Sequence, residues 1–271
     1  MTGRILLLSD LHTMSLWGMM PPNFQAEDPR TGQWNRYVPN GTQTKLWKHW
    51  EKMLTVLKKN KPDCIIFNGD LIDGLQKKGY GRGVVSTDIG LQVKACIEII
   101  KTLPKVPMFF TQGTPYHENA DGTPVEQYIA ERFKGEDGDQ LIVETCGIRL
   151  FCRHAIGMSS STWQFFTTAP ARDQMLLYLN KNPEIYGDID VAVFSHRHQF
   201  VAAQFNSGLS LVTPCWQTMT PYAVMKGLVS PPDIGWVMLN IENRKCITID
   251  RNGITHIERP AKVVGCKGIR K

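Results

Sequence analysis

The sequence predicts a mixed α/β fold that opens as alternating strands and helices and closes as a meander of short strands. Three observations predict it: five short apolar runs closed by turn residues, segments of helical period between them, and strand-length runs with hairpin turns near the end.

The first apolar run, residues 5–8, leads into Ser-Asp10-Leu-His12. Residues 13–43 follow with Trp17, Pro21-Pro22, Trp34 and Tyr37 but little periodicity, so they read as a long loop or small insertion beside the first polar pair. Residues 44–60 carry Leu46, Trp50, Met53, Leu54 and Leu57 at helical spacing. The second run, residues 64–67, ends in Asn-Gly-Asp70, and residues 77–83, with Lys77, Lys78 and Arg82, read as a basic lip. A second helix is expected over 88–103 from Ile89, Val93, Cys96, Ile97 and Ile100. The third run, 108–110, precedes Thr-Gln-Gly113-Thr114. Thr123-Pro-Val-Glu126 has the form of a capping box with proline at the first helical position, opening a helix to about Phe133. The fourth run, 150–152, precedes Arg153-His154; a helix is expected from near Pro170 through Leu179; and the fifth run, 191–194, precedes Ser-His196-Arg197-His198. Short strands are then expected over 200–205, 209–212, 236–241, 246–250 and 254–258, with turns at Asn206-Ser-Gly208 and Arg251-Asn-Gly253.

A chain of 271 residues can bury a substantial core, and one domain, with the insertion at about 13–43 and a basic tail at about 260–271, is the expectation. Seven cysteines without a C-x-x-C pair do not suggest a disulfide framework, so a reducing cytoplasm is expected. No apolar stretch approaches the roughly 18 residues that span a bilayer, and no signal peptide is evident, so no membrane partner is expected. The formal charge of +6 favours encounter with polyanions, although a lysine-rich end is also ordinary solvated surface.

Each apolar run ends in a potential metal ligand, and α/β sheets gather chemistry at the carboxyl ends of their strands. Asp10, His12, Asp70, His154, His196 and His198 are therefore expected on one rim. Taken singly, each has a bland role: aspartates end strands, and histidines are common on surfaces. Together, carboxylates and neutral imidazoles suit hard to borderline divalent ions, and the lack of thiolates argues against a closed structural zinc site. An Asp between two cations can bridge them, and two ions about 3.5–4 Å apart can activate a shared water against a phosphoryl group.

The ordered set D-x-H, G-D, a glycine turn followed by His, a lone His and H-x-H resembles the calcineurin-like metallophosphoesterase family over residues 5–216. The resemblance implies a four-layer α-β-β-α sandwich of two mixed β-sheets with a dinuclear site at its edge. It would place Asp10, His12, Asp70 and His198 around one metal, with Asp70 bridging to His154 and His196 around the other. The third motif departs from the family's Gly-Asn-His: here it reads Gly113-Thr114-Pro-Tyr-His117-Glu118. Either Thr114 supplies its hydroxyl, or water, at the second metal while His117 reaches the substrate as general acid, or the second metal is weakly held. Glu118 would orient the His117 ring. Asp73 is a candidate for orienting a ligand, and Arg153 and Arg197 are candidates for substrate binding, facing phosphate or solvent. His49 and His256 read as structural.

Two divalent ions are expected, manganese for activity, with iron or zinc also suited to this ligation. The leading reading is hydrolysis of a phosphodiester, of nucleotide or nucleic-acid type, by a hydroxide bridging the metals. A phosphomonoesterase or protein phosphatase is the alternative, and a noncatalytic scaffold that retains the fold is a third.

Overall fold

The computed structural model describes residues 2–28, 31–76, 80–117, 124–156, 166–227 and 230–257. In chain order the first half runs β1 (Gly3–Leu8), β2 (Phe24–Glu27), β3 (Trp34–Tyr37), α1 (Gly41–Lys59), β4 (Cys64–Asn68), α2 (Ile89–Ile100), β5 (Met108–Thr111), α3 (Val125–Phe133) and β6 (Glu136–Gly138). The second half runs β7 (Gln140–Thr145), β8 (Ile148–Arg153), α4 (Thr168–Leu179), β9 (Val191–Phe194), β10 (Val201–Phe205), β11 (Gly208–Val212), α5 (Pro221–Met225), β12 (Val237–Asn243) and β13 (Cys246–Asp250).

Alternation along the strands sets the layers, because successive side chains of a strand point to opposite faces. In β1, Ile5 and Leu7 enter one core while Leu6 and Leu8 enter another; in β4, Cys64 and Ile66 share the first and Ile65 and Phe67 the second. Leu150 and Cys152 of β8 and Val191 and Val193 of β9 join Ile5 and Ile66 in the same core, so it lies between two sheets. The opposite face of β1 and β4 packs on Trp50 of α1, Ile99 of α2 and Ile129 of α3. The opposite face of β8 and β9, with Phe151, Ala192 and Phe194, packs on Leu177 of α4. The result is the α-β-β-α sandwich.

Both sheets are mixed. The first has the order β13-β12-β1-β4-β5-β6, with β1, β4, β5 and β6 parallel and β12 antiparallel to both its neighbours, β1 and β13. The second has the order β10-β11-β9-β8-β7, with β8, β9 and β11 parallel.

Several expectations shift. The insertion holds an antiparallel hairpin, β2 with β3, and packs through Met14, Met20, Phe24 and Ala26 against Leu91 and Ala95 of α2. At α3 the N-cap is Pro124, which makes no side-chain cap bond, and Glu126 turns inward. Thr123, Lys77, Lys78, Glu118 and the 260–271 tail lie outside the described residues. The strand expected over 254–258 is reduced to a bridge between Thr255 and Ile234. Trp34 is 73% exposed, whereas Trp17 is half-buried.

The start of α1 ties the insertion to the rim. Asn40 caps it by accepting from the Thr42 and Gln43 N–H groups, donates to the Leu16 carbonyl at 2.8 Å, and Gln43 donates to the Ser15 carbonyl at 2.7 Å. Replacing Asn40 by alanine removes the cap and this strut. The expected loss is about 1–2 kcal/mol of unfolding free energy, read from the shift in urea midpoint at unchanged slope.

Candidate metal centre

The loops that follow β1 and β4 run side by side: the Asp10 N–H donates to the Gly69 carbonyl and the His12 N–H to the Asp70 carbonyl, each at 3.0 Å. From the second sheet, the Ser195 N–H donates to the His154 carbonyl at 3.0 Å, joining the ends of β8 and β9. Between the sheets runs a buried polar chain. Thr111 donates to Asn68 at 2.7 Å, Asn68 to Ser195 at 2.6 Å, and Thr213 lies 2.6 Å from both Ser195 and Ser9 through hydroxyl contacts. Sequence reasoning missed this chain. Its signal was the Ser, Asn or Thr that closes four of the five apolar runs: Ser9, Asn68, Thr111 and Ser195.

The six predicted aspartate and histidine ligands meet at this rim. Asp10, His12 and His198 offer donor atoms within 4.8 Å of one another, as do Asp70, His154 and His196; a third set is His12, Asp70 and His117. Five of these residues occupy the left-handed region: Asp10 at φ 50°, His12 at 42°, Asp70 at 53°, His196 at 71° and His198 at 58°. Each such residue costs on the order of 1 kcal/mol or more, and strain of this kind collects at functional sites. Close approach also requires glycine at two points. A Cβ on Gly69 would lie 2.5 Å from His154 Nδ1, and one on Gly113 would lie 2.3 Å from Asp70 Oδ1.

Asp10 and Asp70 are almost wholly buried, at 0% and 1% exposure. Burial alone would raise both carboxyls, but His154 and His198 hold Asp10 far below its ordinary value, and His154 and His117 do the same for Asp70. The imidazoles respond in kind. Burial opposes a proton on His12, yet the Asp10 and Asp73 carboxylates outweigh it and lift its pKa to about 10. Asp70 and Asp10 likewise overcome burial at His154, which rises to about 9. At His198 burial prevails over the Asp10 charge and the pKa falls.

The fit to a divalent cation rests on what these groups leave unmet. Asp10 Oδ1 has no hydrogen-bond partner, although His198 Nε2 is 3.1 Å, His12 Nε2 3.8 Å and His154 Nε2 4.0 Å away. His154 Nε2 is also without a hydrogen bond, at 3.0 Å from Asp70 Oδ2. His12 Nε2 and His198 Nε2 are 3.2 Å apart, a contact that needs a proton between two nitrogens. A cation would satisfy all of these atoms at once. The far nitrogens are already held: His154 Nδ1 donates to the Asn68 carbonyl at 2.6 Å, and His12 Nδ1 meets Asp73 Oδ1 at 3.1 Å. Such contacts fix the tautomer and aim the other nitrogen as a ligand. Asp73 is itself gripped by Gln217 at 3.1 Å and by Gln76.

The remaining predicted residues fall as follows. His196 is on the open side, with its ring half-exposed and Nδ1 3.9 Å from Asp70 Oδ2. Thr114 donates its N–H to Asp70 Oδ1 at 2.6 Å and its hydroxyl at 3.1 Å, so its polar groups orient that carboxylate. His117 is pinned by Nδ1 to the Asp73 carbonyl at 2.7 Å. Arg153 is engaged with Asp173 at 3.0 Å and the Ala155 carbonyl at 2.9 Å, and Arg197 rests over the Phe166 ring at 5.3 Å. Both arginines are thus held by local partners. His49 is structural, donating to the Gly253 carbonyl at 2.7 Å beside Trp216 and Trp236.

No protein-family model matches the chain. No curated protein matches it either. Among solved structures, the neighbours in architecture are phosphoesterases and Vps29 proteins. An archaeal phosphodiesterase is 11% identical, covering 93% of this chain and 99% of its own, with a TM-score of 0.46. Vps29 of Entamoeba histolytica complexed with zinc is 13% identical, with coverage of 91% and 97% and a TM-score of 0.43. YfcE, a phosphoesterase from E. coli, is 14% identical, with coverage of 91% and 98% and a TM-score of 0.41.

Glu126, read in the sequence as a capping residue, accepts the Leu71 N–H at 3.2 Å beneath the site. Burial, then the Asp70 charge, raises its pKa from 4.5 to about 7. A raised carboxyl binds its proton more tightly in the folded chain, so its contribution to stability is present below 4.5 and is lost as pH rises through about 7. In chelator, Glu126→Gln is expected to flatten the fall in melting temperature between about pH 5 and about pH 8, leaving the variant the more stable protein at the upper end. Parallel melting curves for the two proteins across that range would contradict it.

Proposed function

We propose that this protein is a metal-dependent phosphoesterase that hydrolyses a phosphodiester of nucleotide or nucleic-acid type. The observation that carries the reading is the pair of buried atoms without hydrogen bonds, Asp10 Oδ1 and His154 Nε2, inside converging carboxylates and imidazoles. Asp10, His12 and His198 would hold one divalent ion and Asp70, His154 and His196 a second. When bound, such ions polarise a phosphoryl oxygen and lower the pKa of water.

The chain's own residues do the positioning. Thr114 fixes the Asp70 carboxylate through two hydrogen bonds, so its two oxygens stay set between the donor groups. Asp73 and the Asn68 carbonyl hold the His12 and His154 rings against rotation, which keeps donor geometry from relaxing as charge develops on the substrate. The half-exposed His196 marks the side open to solvent, where substrate would enter.

A diester is favoured over a monoester by the engagement of Arg153 and Arg197, the two cations beside the ligand histidines, with Asp173 and Phe166. A diester phosphate carries one charge and needs fewer free guanidinium groups than a dianionic terminal phosphate. The exposed Trp34 and the half-buried Trp17 support a base-bearing substrate, since bases stack on such rings. Manganese is proposed as the activating ion and the cytoplasm as the compartment; no described helix is long and apolar enough to cross a membrane.

The test is steady-state hydrolysis of a nitrophenyl diester and the matched monoester by chelator-stripped protein resupplied with manganese, zinc or iron. Turnover is expected to require metal, to favour the diester, and to fall by more than about a hundredfold in Asp70→Asn. Monoester preference would move the assignment to a phosphatase, and inactivity with every ion would move it to a scaffold.

A further inference from the structure

We infer that His117 is a metal ligand, adding an imidazole nitrogen beside His12 and Asp70 while Thr114 stays turned to the Asp70 carboxylate. The inference rests on the metal-centre reading above and changes the role of one residue within it.

Thr114 is turned to Asp70 through both its N–H and its hydroxyl. His117 has the opposite character. A carbonyl can only accept, so the 2.7 Å contact with the Asp73 carbonyl puts the proton of the neutral ring on Nδ1. Nε2 then carries a lone pair. It lies 3.7 Å from Asp70 Oδ2, and its donor atom falls within the same 4.8 Å set as those of His12 and Asp70. His154, whose Nδ1 is held by the Asn68 carbonyl with Nε2 3.0 Å from Asp70 Oδ2, has the same arrangement toward the same carboxylate oxygen.

The ring is also confined. It meets the His12 ring edge-on at 4.7 Å, and Gly74 packs so closely that a Cβ there would lie 2.7 Å from the His117 Cα. A general acid at this position would need a second proton on Nε2, the nitrogen that faces the shared carboxylate. A ligand needs only the tautomer that the Asp73 carbonyl already imposes. The extra two residues between Gly113 and the histidine, relative to a Gly-x-His spacing, allow the chain to bring the ring back to the cluster: the His117 N–H closes a turn on the Thr114 carbonyl at 2.9 Å.

Two measurements on the full chain test this. Chelator-stripped wild type, His117→Ala, His117→Gln and Thr114→Ala are titrated with cobalt(II), following visible absorption and, after dialysis, bound metal. Both His117 variants are expected to lose affinity for one equivalent by at least about tenfold and to change the absorption bands, with a smaller effect in Thr114→Ala. Separately, in wild type labelled with 15N-histidine, zinc is expected to shift the His117 Nε2 resonance together with that of His154. Unchanged cobalt spectra and stoichiometry in the folded His117 variants, or a His117 Nε2 resonance unmoved by zinc, would overturn the ligand role while leaving the metal centre intact. Failure of the wild type to bind either ion would instead overturn the metal reading itself.

Discussion

Two carboxylates buried within reach of one set of imidazoles are the constraint on which the rest of this structure depends. Asp10 and Asp70 have almost no exposure, and an ionised carboxylate is held in an interior only when positive charge or several donors surround it. Here the donors come from the ends of five strands in two sheets. Without cations, His12 and His154 take up protons to balance the two charges, as their raised pKa values of about 10 and about 9 reflect. Were a cation bound, the same nitrogens would be its ligands, so metal and proton would compete for one set of lone pairs.

Meeting that constraint sets demands on the surrounding chain. Five site residues sit at positive φ, a conformation that would relax if the strand ends were free. They are not free: the loops after β1 and β4 bond to each other, and those after β8 and β9 do the same. The Thr111–Asn68–Ser195–Thr213–Ser9 chain then fastens one sheet to the other directly below the site. A fully partnered buried network of this kind specifies one relative position of its parts, whereas apolar packing alone tolerates sliding. The inter-sheet core around Ile5, Ile66, Leu150 and Val193 supplies cohesion, and the polar chain supplies register.

The sequence made the strand ends legible because both signals there are local. An apolar run shows its own period, and a polar residue after it is within a few positions. Asp10, Asp70, His154 and His196 could therefore be placed on one rim before any contact was known. Residues whose roles depend on distant partners were not legible. Glu126 matches a capping box three positions after Thr123, but its carboxyl faces Leu71, and the deciding contact spans 55 residues. The contacts of Arg153 and Arg197, with Asp173 and with Phe166, come from a later and an earlier segment and carry no local signal. β6, Glu136-Asp137-Gly138, carries no strand signal of its own, and β7 has a Leu141-Ile142-Val143 run without alternation; pairing with β5 and β8 makes them strands.

The contacts that orient His12 are continuous with the insertion that follows it. Gln217 donates both to Asp73 Oδ1 and to the Ser15 hydroxyl, each at 3.1 Å, and the Thr218 N–H donates to the Trp17 carbonyl at 2.8 Å. Ser15 in turn is bonded through its carbonyl to Gln43 at the start of α1. Any displacement of the Trp17 segment would therefore pull on Gln217, and through it on the carboxylate that fixes the His12 ring. Such an arrangement makes ligand geometry depend on the insertion being seated. It explains why a long excursion after the first ligand pair is packed by its own methionines and Phe24 against α2 when a solvated loop would serve as a mere connection.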